Sequence, residues 1–60
     1  MSEEVRREAM NRAFRQACAR LDLTGTPLVE LVAIRIVELA RAGEFDSDRL
    51  TDATVLTFEG

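Results

Sequence analysis

The residues best suited to chemistry in this chain are three aspartates, Asp46, Asp48 and Asp52, and one thiol, Cys18. The carboxylate spacing invites a calcium loop. An EF-hand loop opening at Asp46 would need a polar ligand where Leu50 stands, glycine where Thr51 stands and glutamate where Thr57 stands. None of these is present. The aspartates are instead expected as solvated charges at a helix start, where the helix dipole favours them. Cys18 falls on an apolar stripe, with Arg15 three residues away and no histidine anywhere in the chain to act as a base. A reactive thiol needs both a depressed pKa and access, so Cys18 is expected to be buried and inert. One cysteine plus carboxylates is a poor ligand set for structural zinc. No metal or other cofactor is expected. Ser-His-Asp and Cys-His arrangements are ruled out by composition, and the turn at Gly25 lacks the Gly-Lys-Ser/Thr signature of a phosphate loop. The chain is therefore not expected to be an enzyme.

Elements must next be found that these residues could sit on. Sixty residues allow one domain at most. A chain of this length buries a modest fraction of its surface, so small folds are usually reinforced by disulfides, a metal or oligomerisation. The single cysteine excludes an intrachain disulfide. Oligomerisation is the route left open, alongside unusually good helix packing. Hydrophobic residues at 47% and charged residues at 32% give a globular balance and exclude a disordered class. With phenylalanine at only three positions and no Trp or Tyr, the core must come from Leu, Ile, Val and Ala.

Periodicity places helix 1 at about residues 3–21. Ser2 is a suitable N-cap, followed by Glu3 and Glu4 at the positive end of the dipole. Val5, Ala9, Met10, Ala13, Phe14, Ala17, Cys18 and Leu21 form its apolar stripe. Glu3–Arg7 and Glu8–Arg12 stand at i,i+4 with the acid first, the better order, each worth only about 0.3–0.5 kcal/mol when exposed. Thr26-Pro27 reads as an N-cap followed by proline at N1, and Glu30 completes a capping box. Helix 2 then runs over about 27–42, with Gly43 as the C′ residue. The third segment is ambiguous. Phe45-Asp46-Ser47-Asp48 suggests a staple and cap opening a short helix over about 48–58, whereas Thr54–Phe58 is rich in strand formers. An isolated strand would lack a partner in the chain, so a helix is favoured.

A wheel of helix 2 at about 100° per residue sets Glu30, Arg35, Glu38 and Arg41 on an arc of roughly 140°. The opposite arc holds Leu28, Val29, Val32, Ala33, Ile36, Val37, Leu39 and Ala40, and Leu31 and Ile34 fall inside the polar arc. A helix apolar on most of its circumference is a buried one. The fold class expected is all-α: a helical hairpin with a short third helix beside it, assembling as a homodimeric bundle. Leu28, Leu31, Val32, Ile34, Ile36 and Leu39 are the expected self-association residues.

Charge bears on partners. The net charge is −3, divided into +1 over residues 1–22 and −4 over residues 23–60. Neither half is basic enough for general nucleic-acid binding. Arg6, Arg7, Arg12, Arg15 and Arg20 scatter around helix 1. The acidic start, Met1-Ser2-Glu3-Glu4, does not resemble a targeting segment. The stretch Leu28–Ala40, broken by three charges, is too short and too charged to span a bilayer. A cytoplasmic, non-catalytic protein-interaction module is the leading expectation. A small regulatory nucleic-acid binder using the helix 1 arginines is the alternative, and a carrier with an apolar interhelical pocket comes third.

Overall fold

A computed structural model describes residues 2–23 and 25–59. They form three helices, α1 (Glu3–Leu21), α2 (Leu28–Arg41) and α3 (Ser47–Glu59), with no strand among the described residues. The strand formers Thr54–Phe58 are helical because tertiary burial overrides propensity: Thr54 and Val55 are buried in the core.

Both ends of α1 and α2 and the start of α3 have an identifiable cause. At the start of α1, the Val5 N–H donates to Ser2 Oγ at 3.2 Å, the expected cap. At its end, the Asp22 N–H donates to the Ala19 carbonyl and the Leu23 N–H to the Cys18 carbonyl. This is a Schellman motif with Asp22 in the left-handed C′ position, φ 53°. The end of α2 repeats the motif: Gly43 N–H donates to Ala40, Glu44 N–H donates to Leu39, and Gly43 takes φ 104°.

The two ends differ in what the left-handed residue costs. Gly43 adopts the conformation freely, whereas Asp22 carries a Cβ that opposes it. Asp22→Gly is therefore expected to raise stability by about 0.5–1 kcal/mol, part of the backbone gain being offset by a freer unfolded chain. Thermal denaturation would register this as a rise of about 2–8 °C. A fall in the midpoint would mean that the Asp22 carboxylate contributes more than its backbone costs.

The capping box expected at Thr26 does not form. The Leu23 carbonyl accepts from both the Thr26 N–H (3.0 Å) and the Thr26 hydroxyl (2.8 Å), so the N–H is taken from Glu30 and the side chain is engaged with the turn, while the Glu30 N–H donates to the Pro27 carbonyl in place of the Thr26 hydroxyl oxygen. Gly25 at φ 81° belongs to the same turn. Pro27 stands at the cap position, and the first α2 amides bond back to Thr26 and Pro27 carbonyls in a tight i→i+3 pattern. At the third helix, Asp46 is the cap: its Oδ1 accepts from Asp48 N–H (2.9 Å) and Arg49 N–H (3.3 Å). The carboxylate that opened the calcium reading is thus engaged with backbone amides.

The core contains Ala13, Ala17 and Cys18 of α1, Val32 and Ile36 of α2, and Leu50 and Val55 of α3. The most extensive helix–helix interface is between α1 and α3. The small residues Ala13 and Ala17 on the buried side of α1 permit this close approach. The third helix is thus a full member of the bundle, where an accessory flanking position was expected. An Arg20–Asp52 ion pair at 2.8 Å ties α3 to α1 across the surface, though an exposed pair of this kind contributes at most about 1 kcal/mol.

Candidate functional surfaces

Burial separates the six residues expected at a self-association surface. Val32 and Ile36 are in the core and unavailable to a partner. Their arc of α2 is covered by α1 and α3 together. Leu39 is half-buried against the same cluster. Leu28, Leu31 and Ile34 are exposed, at 43%, 48% and 55%. Val37, which the wheel placed on the apolar arc, is also exposed at 39%.

Leu28, Leu31, Ile34 and Val37 follow one another at three-residue steps. Such a row is a ridge of the kind that packs into the groove of a facing helix. The ridge runs obliquely along the outside of α2. On the α3 side it is bordered by Arg35, whose Nε donates to Thr57 Oγ1 at 3.2 Å and whose Nη1 lies 3.9 Å from Glu38 Oε1. These contacts hold polar groups at the rim and leave the ridge itself uncovered. Among the described residues, Leu56 of α3 and Val5 of α1 are the other large apolar side chains in the open.

The α1 arginines are divided by the fold. Arg20 is engaged by Asp52. Arg7 meets Glu3 at 3.6 Å, the expected i,i+4 pair. Glu8 and Arg12 do not form the ion pair their spacing allows; both line a shallow acidic groove with Glu4, Asp46 and Asp48. Arg6 and Arg7 join Arg41 of α2 around a second groove. That convergence of distant residues had no local signal in the sequence.

Cys18 is buried, and burial pushes its thiol up from the ordinary value, which keeps it protonated near neutral pH. Among the described residues no group of three or more Cys, Asp or Glu is placed to hold a metal ion. Among the described residues no helix is long and apolar enough to cross a membrane. The fold and surfaces thus define a three-helix bundle with an uncovered apolar ridge and two shallow charged grooves. Comparison with known protein families, with curated proteins and with solved structures finds no match.

Proposed function

We infer that this chain is a non-catalytic interaction module that self-associates through the outer ridge of α2. The exposure of Leu28, Leu31, Ile34 and Val37 in one row carries this reading. Fully burying an aliphatic side chain is worth about 1.5–3 kcal/mol, so covering four that are about half exposed is worth roughly 3–6 kcal/mol per protomer. Two protomers together gain about 6–12 kcal/mol against an association cost of about 4–15 kcal/mol. A weak, reversible homodimer is the expected result, with a second α2 seated on the first by a two-fold axis. The lone thiol suits a reducing compartment, and the reading places the protein in the cytoplasm.

Sedimentation equilibrium from about 10 µM to about 1 mM spans the concentrations at which a weak, reversible dimer forms. The wild-type chain is expected to shift from 6.7 kDa towards twice that mass as concentration rises. Ile34→Glu is expected to hold it at the monomer mass across the range, with its helical circular dichroism unchanged because the side chain is already in solvent. Leu56→Glu, on α3, is expected to leave the association intact. A monomer throughout, or equal disruption by both substitutions, would overturn the reading.

A further inference from the structure

All the positive side-chain charge of this chain is arginine, and the fold gathers three arginines from two helices at one place. Arg6 and Arg7 of α1 and Arg41, in the last turn of α2, line one surface groove, together with the apolar side chains Met10, Val37 and Phe45. The Arg6 guanidinium lies 5.4 Å over the Phe45 ring, held against that wall by a cation–π contact. Among the described residues Arg7 has one ion-pair contact, the long, solvent-exposed one with Glu3 at 3.6 Å. Arg41 makes no ion pair among the described residues. Glu3 also lines this groove, so three guanidiniums face one carboxylate. A local cationic surplus therefore sits on a chain whose net charge is −3.

We propose that this groove binds a protein segment in which carboxylates flank a bulky apolar side chain. The apolar lining rewards burial of the side chain, and guanidinium forks bind carboxylates in a bidentate, geometrically selective way. Adjoining charge selects against longer polyanions. The neighbouring groove also includes Phe45 in its lining and presents Glu4, Glu8, Asp46 and Asp48 against the single cation Arg12. A nucleic acid or an anionic bilayer lying over the arginines would extend across those four carboxylates. At physiological salt, charges repel over about 8 Å, so the negative charge of a favoured ligand must be confined to the arginine groove. A short acidic–apolar segment meets that condition. The proposal does not rest on self-association through α2: the groove lies on the α1 side of that helix and shares only Val37 with the ridge.

The probe is a fluorescein-labelled hexapeptide of alternating leucine and glutamate, read by fluorescence anisotropy beside a version with glutamine in place of glutamate. The glutamate peptide is expected to bind at least about tenfold more tightly than the glutamine peptide, the difference that charge-assisted hydrogen bonds supply. Arg7→Gln/Arg41→Gln, both exposed positions, is expected to remove at least about tenfold of that affinity. Arg49→Gln, outside the groove on α3, is expected to change nothing. In the Ile34→Glu background the binding is expected to persist, which separates this site from the ridge. The proposal is overturned if the glutamate peptide does not bind, if the glutamine peptide binds equally, or if the double substitution has no effect. It is equally overturned if a single-stranded oligonucleotide or phosphatidylserine vesicles bind more tightly than the peptide.

Discussion

Leu50→Ala is expected to cost about 2–5 kcal/mol, the range for truncating a buried leucine. Leu50 is 0% exposed and lies in the first turns of α3, in the core cluster shared by all three helices. Ala13 and Ala17, the α1 members of that cluster that are fully buried, have no side-chain length with which to fill a void. The cavity term should therefore be close to full. At roughly 0.05–0.15 kcal/mol per residue, a chain of this size has only about 3–9 kcal/mol of stability in total. The variant is expected to lose about half or more of that stability and to begin unfolding at low urea. Urea denaturation followed by circular dichroism checks this; a loss below about 1 kcal/mol would show that the site collapses around the truncation. Because binding to the folded state stabilises by mass action, self-association through the ridge also predicts that the variant recovers helix content as protein concentration rises.

Thr54→Val is expected to move stability the other way, by about 1–3 kcal/mol. Thr54 is 0% exposed, and its Oγ1 has no hydrogen-bond partner among the described residues. The two other threonines in the middle and end of α3 do better. The Thr51 hydroxyl donates to the Ser47 carbonyl at 2.7 Å and meets the Gln16 side-chain amide at 3.0 Å, while Thr57 donates to the Ala53 carbonyl at 3.0 Å. A buried hydroxyl without a partner loses its hydration and gains nothing in return. Valine keeps the branched shape, and its helix propensity is close to that of threonine. The midpoint of thermal unfolding should rise by about 4–8 °C per kcal/mol gained. A drop would mean that the hydroxyl bonds back to the Leu50 carbonyl in solution, which would remove the penalty. Nothing in the structure explains why threonine occupies this position.

Local chemistry was the most legible layer of this protein. Ser2 as a cap and Gly43 as a left-handed C′ residue each rest on a few neighbouring atoms, so residue type alone exposes them. Thr26 shows the limit of such reasoning. Its pattern with Pro27 and Glu30 satisfies a capping box, yet the Leu23 carbonyl takes the N–H that Glu30 would engage, the hydroxyl donates into the same turn, and the Glu30 N–H bonds to the Pro27 carbonyl. Asp22 shows the converse. An aspartate in the left-handed region closes α1 with the same bonds that Gly43 uses for α2, but its residue type pointed to no such role.

The sequence by itself determined two helical segments, favoured a helix over a strand for the third, and showed the excess apolar surface of the second and a residue inventory without histidine. These follow from spacing and composition, which are properties of the chain before it folds. Only the tertiary structure decided how the apolar circumference of α2 is divided. The wheel could not separate Val32 and Ile36 from Leu28 and Val37, which share their apolar arc but are exposed, because burial depends on where α1 and α3 lie and not on the helix alone. It also decided that Arg6, Arg7 and Arg41 share a groove while Arg20 is engaged by Asp52. Charges distant in sequence interact through the space between them, and that distance exists only once the helices have packed.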